Sequence, residues 1–205
     1  MKEILCFGDS NTYGLVPKEN RRYPWGVRWT SILNSKLGLD NARVIEEGLC
    51  GRTTVFDDPL RDHRNGSKLI RTILETNDTP DQIIIMLGTN DCKTVYGATA
   101  EIIGRGVRRI IRQVRDYTRE SKILLVSPIH LGELVWKTEY DPEFSSDSIE
   151  VSKELAEVYR RIAREEEIEF LDASEVASPS DTDQEHLNEE GHRSLADAIY
   201  KAIAL

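Results

Sequence analysis

The segment Met1-Lys2-Glu3-Ile4-Leu5-Cys6-Phe7-Gly8-Asp9-Ser10-Asn11 decides the fold of this protein. Its apolar run from Ile4 to Phe7 does not alternate with polar residues, which is typical of a parallel strand covered on both faces. The run stops at Gly8-Asp9-Ser10-Asn11, and these residue types favour a turn. A buried strand that ends in a polar turn predicts functional groups at the carboxyl end of a parallel sheet.

Four further apolar runs are predicted to be buried strands, and segments with helical spacing of apolar residues lie among them. The later predicted strands are Arg43 to Ile45, Ile83 to Leu87, Ile123 to Val126 and Ile168 to Leu171. The predicted helices are Val27 to Leu37, Ala100 to Tyr117, Val151 to Ala163 and Ser194 to Ile203. Because strands and helices alternate along the chain, we predict an α/β fold with a mainly parallel sheet.

Composition favours one ordinary globular domain over residues 1–205. The chain is 39% hydrophobic and 31% charged, and its formal net charge is -9. This charge argues against nucleic acid or an anionic membrane as a partner, so the arginines of the Ala100–Tyr117 segment are interpreted as a solvated helix face. The cysteines Cys6, Cys50 and Cys92 have neither metal-site nor disulfide-framework spacing, and we interpret them as buried, reduced side chains.

No apolar run in the sequence approaches the length of a membrane span. The apolar region near the N-terminus, which ends at Phe7, is too short for a signal peptide. We therefore expect a cytoplasmic protein without a membrane partner.

Polar residues follow four of the predicted strands. They form the groups Gly8-Asp9-Ser10-Asn11, Gly48-Leu49-Cys50-Gly51-Arg52, Gly88-Thr89-Asn90-Asp91 and, after a loop, Asp183-Gln184-Glu185-His186. Because the carboxyl ends of parallel strands meet at one edge of the sheet, we expect these groups to converge.

The four groups contain the parts that acyl transfer needs. Ser10 is the candidate nucleophile, His186 the base that activates it, and Asp183 the carboxylate that orients the histidine. The backbone N–H groups of Ser10 and Gly51, with the side-chain amide of Asn90, are the candidate donors to the oxyanion. Each residue alone has an ordinary structural explanation, so the prediction depends on their combination and order.

The same blocks resemble the GDSL, or SGNH, hydrolase family. Gly8-Asp9-Ser10-Asn11 is similar to the family's first block, with asparagine where the four-letter family name has leucine. Gly51, Gly88-Thr89-Asn90-Asp91 and Asp183-x-x-His186 match later blocks in order. The resemblance implies a three-layer α/β/α, flavodoxin-like fold with five parallel strands in the order 2-1-3-4-5.

Within the family, the chain looks most like the bacterial arylesterase–acyltransferase branch. The phrases that carry this likeness are Val27-Arg28-Trp29, Glu46-Glu47-Gly48-Leu49, Arg52-Thr53-Thr54 and Asp57-Asp58-Pro59. The resemblance implies a serine esterase for short-chain aryl and alkyl esters, with transfer of the acyl group to alcohols as a further activity. It also implies a homo-oligomer and a reaction without metal or organic cofactor.

Several residues compete for the catalytic roles. Asp172 and Asp181 are rivals of Asp183, which is preferred because it and His186 share one short loop. The rivals of His186 are His63, His130 and His192, with His192 expected to be structural. Asp9 and Asn11 are predicted to support the site, with Asp9 ordering the turn around the nucleophile. Arg52 and Asp57 are expected to make structural contacts near it.

Long connections flank the predicted site over residues 11–26, 48–68 and 130–148. The first and last of them carry the aromatic residues Tyr13, Tyr23, Trp25, Trp136, Tyr140 and Phe144. Long loops on a rigid sheet favour a pocket or a subunit contact. Two alternatives stay open: an esterase for acetylated carbohydrates or lysophospholipids, and a non-catalytic binding module on the same scaffold.

Overall fold

The computed structural model describes residues 1–77 and 79–203, which contain five strands and six α-helices. The strands are β1 (Lys2–Gly8), β2 (Ala42–Gly48), β3 (Gln82–Met86), β4 (Lys122–Ser127) and β5 (Glu169–Asp172). The helices are α1 (Ser10–Tyr13), α2 (Trp29–Leu37), α3 (Gly66–Thr76), α4 (Ala100–Tyr117), α5 (Ser146–Glu165) and α6 (Glu189–Ala202).

All strand pairs in the sheet are parallel, and the strand order is β2-β1-β3-β4-β5. Ile4 of β1 lies opposite Val44 of β2 on one side and Gln82 of β3 on the other. The predicted fold class and strand order are therefore confirmed. The chain adds β2 on one side of β1 and the later strands on the other side. This change of direction in the strand order creates a topological switch point at the carboxyl end of β1, where α/β proteins bind ligands.

Two apolar cores cover the two faces of the sheet. Leu5 and Phe7 of β1 point to one face, where they join the buried side chains of α3, α4 and α5. Ile4 and Cys6 point to the other face, where Trp29 of α2 and residues of α6 cover them. Because both faces are buried, the middle of each central strand is an apolar run that does not alternate with polar residues.

The short helix α1 was not predicted from the sequence, and neither was α3, which connects β2 to β3. Helix α3 buries Ile70 and Leu74 against the core, and Leu69 and Ile73 complete the helical spacing that signals it. A parallel pair of strands needs a crossover, so this spacing should be read as a helix. The connection after β2 is correspondingly shorter than expected.

Two helices begin earlier than their apolar pattern indicates, because polar caps define their first turns. The hydroxyl of Ser145 accepts a hydrogen bond from Ser148 N at the start of α5, five residues before the predicted Val151. The side chain of Asn188 accepts one from Gly191 N at the start of α6. Such caps satisfy backbone N–H groups that have no partner within the helix.

Ion pairs occupy much of the arginine-rich face of α4. Arg108 pairs with Glu165, and Arg112 and Arg115 contact Glu166, both at the end of α5.

Among the described residues, no helix combines the length and the apolar character that crossing a membrane requires.

Candidate active site

Ser10 lies at the carboxyl end of β1, at the first residue of α1. The carboxylate of Asp9 accepts a hydrogen bond from Asn11 N at 2.9 Å, which fixes the turn between strand and helix, as the sequence predicts. A Cβ atom on Gly8 would overlap Thr12 Oγ1 and lie 2.8 Å from the carbonyl oxygen of Met86, so this close approach needs glycine. The turn holds the Ser10 hydroxyl at the sheet edge with 3% of the residue exposed.

His186 lies on the loop between β5 and α6, and its ring connects Ser10 to Asp183. His186 Nε2 is 2.9 Å from Ser10 Oγ, and His186 Nδ1 is 2.8 Å from Asp183 Oδ2. The second oxygen of Asp183 accepts the backbone N–H groups of Glu185 and His186 at 3.1 and 2.9 Å. One carboxylate thus orders both the loop and the imidazole, and it favours the tautomer in which Nε2 accepts a proton from serine.

The electrostatics of the loop favour a charged pair. Burial would raise the pKa of Asp183, but its hydrogen bonds with the side chain and backbone of His186 hold it below its ordinary value. Burial would lower the pKa of His186, but the carboxylates of Glu185 and Asp183 outweigh burial and raise it to about 9. The imidazolium form of His186 is therefore strongly stabilised at this site.

The side chain of Asn11 forms hydrogen bonds with the backbone of the loop that carries His186. Its side-chain oxygen accepts a hydrogen bond from Leu187 N at 2.9 Å, and its amide nitrogen donates to the carbonyl oxygen of Glu185 at 3.4 Å. These two residues flank His186, so Asn11 connects the serine turn to both sides of the histidine. The prediction that Asn11 supports the site thereby acquires a specific contact.

Burial raises the pKa of Asp9, the other predicted supporting residue, to about 6. The residue is 1% exposed, and its carboxylate contributes negative charge close to His186.

Gly51 and Asn90 lie in the connections after β2 and β3. Gly51 has a φ angle of 82°, and a Cβ atom there would lie 2.5 Å from the guanidinium of Arg61. Both facts favour glycine at this position. The side-chain amide of Asn90 donates to the carbonyl oxygen of Arg52 at 3.2 Å. Since an amide nitrogen carries two hydrogens, this bond orients the group and leaves the second hydrogen available.

The guanidinium of Arg52 is buried under the serine turn. It donates to the carbonyl oxygen of Gly8 at 2.8 Å and also to that of Glu47, and it lies 4.2 Å from the centre of the Phe7 ring. Burial lowers its pKa to about 10. Arg52 therefore ties the carboxyl ends of β1 and β2 together, which is the structural role expected of it. Asp57 instead forms an exposed ion pair with Lys68.

The competing residues lie elsewhere or have other partners. Asp172 accepts hydrogen bonds from Ser127 and Ser174 at the end of β5. Asp181 forms no ion pair with His186, and His63 is exposed in the loop after β2. His130 is partly exposed after β4 and makes no hydrogen bond with Ser10.

His192 is fully buried in α6 and is structural. Its Nδ1 accepts a hydrogen bond from Trp29 N at 3.3 Å, and its ring meets that of Tyr23 edge-on at 5.3 Å. Burial, with smaller contributions from the charges of His186 and Arg28, lowers its pKa to about 4. It is thus neutral at physiological pH and joins α2 to α6.

Acid should destabilise the fold through His192. Between pH 6.5 and its folded pKa of about 4, the unfolded chain binds a proton that the folded protein excludes. As the pH is lowered through this window, the free energy of unfolding should therefore decrease, and His192 should account for about 3 kcal/mol of the decrease. Urea denaturation at several pH values should show a weaker dependence for His192→Gln than for wild type or the exposed-site control His63→Gln. Equal pH dependence in all three proteins would contradict this assignment.

Glu185, directly before His186, also lies at the site, although nothing in its sequence context signals this. Its side chain is buried, and Oε2 lies 3.8 Å from His186 Nδ1. A second ion pair, between Lys93 and Glu143, joins the turn after β3 to the 130–148 loop.

Cys50, which neighbours Gly51, is partly exposed and not buried as predicted, because it lies in the loop beyond β2. Among residues 1–77 and 79–203, no group of three or more His, Cys, Asp or Glu side chains is arranged to hold a metal ion.

The model of the GDSL-like lipase/acylhydrolase family matches residues 6–194. The chain belongs to this family. The predicted resemblance is therefore confirmed, and as a GDSL acylhydrolase the chain is an esterase. No protein with a curated description matches it.

Solved structures similar to this GDSL acylhydrolase include two kinds of esterase. The native aryl esterase of M. smegmatis is 35% identical with a TM-score of 0.88, and the match covers 100% of this chain and 99% of that one. A carbohydrate acetylesterase from Sinorhizobium meliloti is 34% identical with a TM-score of 0.92 and the same coverage. A carbohydrate acetylesterase family member from the same organism is 36% identical with a TM-score of 0.91 and full coverage of both chains. The two kinds are equally similar to this chain, so identity does not separate their substrates.

Proposed function

We propose that this GDSL acylhydrolase cleaves short-chain carboxylic esters of aryl and alkyl alcohols through an acyl-Ser10 intermediate. The single observation that carries the proposal is the continuous contact from Ser10 Oγ through His186 to Asp183, at 2.9 and 2.8 Å. This is the arrangement that makes a serine hydroxyl nucleophilic.

The geometry supports a two-step reaction. Ser10 Oγ attacks the carbonyl carbon of the ester as its proton moves to His186 Nε2. His186 then returns this proton to the oxygen of the leaving alcohol, and the acyl group remains on Ser10. Water, or a second alcohol, repeats the sequence and frees Ser10. Asp183 stabilises the imidazolium in both steps and stays ionised.

The negative charge on the carbonyl oxygen needs preset donors. We assign this role to the backbone N–H groups of Ser10 and Gly51 and to the free amide hydrogen of Asn90. Such donors act in a site with little water, where a hydrogen bond to a developing charge is strong.

Replacing Asn90 by alanine should lower kcat roughly a hundredfold or more while KM changes little, because the donor acts on charge that exists only in the transition state. Steady-state hydrolysis of p-nitrophenyl acetate measures both constants. Asn77→Ala is the matched control: its amide also donates to a backbone carbonyl, that of Ile73 at 2.9 Å, but at the far end of α3. A loss confined to KM would remove Asn90 from the oxyanion site.

The test of the proposed function is covalent labelling with a fluorophosphonate probe, followed by mass mapping of the modified peptide. We expect one phosphonylated residue, Ser10, and no labelling of Ser10→Ala. Absence of labelling in the wild-type protein would instead favour the binding-module alternative.

A second candidate function is deacetylation of carbohydrates, which the similarity to two acetylesterases favours. Exposed aromatic rings such as Trp25 and Trp136 suit either substrate, since aryl groups and sugars both stack on them. Initial rates on p-nitrophenyl esters of increasing acyl length and on acetylated sugars distinguish the two. A preference for acetylated sugars over p-nitrophenyl acetate would replace our assignment.

Assembly into a homo-oligomer and residence in the cytoplasm stay predictions from the sequence. Light scattering during gel filtration measures the first: a mass of 23.4 kDa would contradict it.

A further inference from the structure

Glu185 is a buried carboxylate that the proposed reaction does not use. Only 7% of the residue is exposed, although glutamate rarely is so buried without a partner. Within the described part of the chain, its carboxylate accepts no hydrogen bond and pairs with no lysine or arginine. The charged neighbour within 4 Å is His186, whose Nδ1 lies 3.8 Å from Glu185 Oε2.

The position of this contact on the imidazole ring limits what Glu185 does. Nδ1 is the nitrogen that also contacts Asp183, whereas Nε2 faces Ser10. Glu185 therefore approaches His186 at the nitrogen that faces away from the nucleophile, so it is badly placed to touch an ester bound at Ser10. Its effect on the reaction passes through the histidine.

The charges around His186 come from several elements. Its own loop contributes Asp183 and Glu185, and the turn after β1 contributes Asp9. His192 faces it from α6, but as a neutral ring. Three buried carboxylates, those of Asp183, Glu185 and Asp9, therefore act on His186, and the neutral His192 does not offset their charge.

Lys93 is the cation near Glu185, and its charge is largely neutralised by other carboxylates. Lys93, after the turn that follows β3, is 6% exposed and lies near Glu185. It pairs directly with Glu143 and lies 4.0 Å from Asp141, both on the 130–148 loop. Protonated His186 is accordingly the charge that balances the buried carboxylates.

We propose that Glu185 is a second carboxylate partner of His186, which acts beside Asp183 to stabilise the imidazolium formed when Ser10 gives up its proton. This inference rests on the proposed function of Ser10 and His186. Glu185 is a positioning residue: it touches neither substrate nor the reacting oxygen. No proton moves to it, because the proton taken from Ser10 stays on Nε2 until the leaving alcohol receives it.

The arrangement has a cost at neutral pH. Glu185 stabilises the imidazolium in the resting enzyme as well, and a protonated histidine cannot accept the Ser10 proton. The raised pKa of His186, about 9, agrees with this geometry. The enzyme should therefore gain activity as the pH rises into the alkaline range.

The test is the pH dependence of kcat/KM for p-nitrophenyl acetate in wild type and in Glu185→Gln, which keeps the shape and removes the charge. We expect the midpoint of the rise to fall by about one pH unit in the variant. Because a less basic histidine is a weaker catalyst once deprotonated, the alkaline plateau should fall by a few-fold. NMR titration of the His186 ring measures the same shift without substrate.

Two matched variants complete the experiment. Glu190→Gln makes the same chemical change on the exposed first turn of α6, and its midpoint should equal that of wild type. Glu185→Asp keeps the charge but draws it back, so its midpoint should lie between those of wild type and Glu185→Gln. It also serves if Glu185→Gln does not fold.

The outcomes separate this inference from the function beneath it. Midpoints and NMR titrations of wild type and Glu185→Gln that agree within about 0.3 pH unit would overturn the role of Glu185, since a carboxylate at this distance should shift the histidine by more. Turnover that survives in Ser10→Ala would instead overturn the proposed function. In that case the NMR titration still decides whether Glu185 acts on His186.

Discussion

Ser10→Ala is expected to lower kcat for p-nitrophenyl acetate by roughly a million-fold. Without the hydroxyl there is no acyl-enzyme, and His186 has no proton to accept from the attacking atom. The remaining oxyanion donors and substrate contacts should still accelerate direct attack by water, by roughly a thousand- to ten-thousand-fold over the uncatalysed reaction. The loss should appear in kcat more than in KM, because Ser10 is small and contributes little to ground-state binding.

The folded state should survive this change. Ser10 Oγ makes its hydrogen bond with His186, so truncation removes one side-chain interaction, worth about 1 kcal/mol. Thermal unfolding verifies this, and Ser35→Ala on α2 is the control, since its hydroxyl donates to a helix carbonyl remote from the site. Residual turnover above about one thousandth of wild type, in protein free of wild-type enzyme, would mean that another group is the nucleophile.

Asp183→Asn should cause the next largest loss, about ten-thousand-fold in kcat. The asparagine oxygen can still accept the backbone N–H groups of Glu185 and His186, so the loop should keep its shape. Its amide, however, donates to His186 Nδ1 and forces the proton onto Nε2. In this tautomer the ring cannot accept the proton of Ser10.

Asp172→Asn is the matched control for this prediction. It makes the same substitution at the carboxylate directly after β5, the rival candidate from sequence, which contacts Ser127 and Ser174 and not His186. Its kcat should stay within a few-fold of wild type. The reverse result, with Asp172→Asn inactive and Asp183→Asn active, would transfer the acidic role to Asp172.

The sheet was predictable because its signals are local. Bare apolar runs mark β1 and β3 as strands buried on both faces, and polar residues stop them at the sheet edge where ligands bind. The starts of α5 and α6 were misjudged because capping residues, and not apolar spacing, define them. The helix α3 was missed although its apolar spacing was present.

The site divides in the same way. The residue types and their order along the chain nominated Ser10, Asp183 and His186, because each role in acyl transfer requires a particular functional group. Sequence alone did not nominate Glu185, since a glutamate beside a histidine is ordinary on a protein surface. Its burial and its 3.8 Å approach to Nδ1 became visible only in three dimensions.

The sequence by itself thus determined the fold class, the strand order implied by family resemblance, and the chemical groups available at the sheet edge. The tertiary structure decided which of those groups meet. It placed Asn11 in hydrogen bonds with the backbone of both neighbours of His186, and it placed Asp172 beside Ser127 and not beside the histidine. The physical reason is that strand signals arise from neighbours in the chain, whereas contacts such as Ser10 to His186 depend on loop paths across 176 residues of separation.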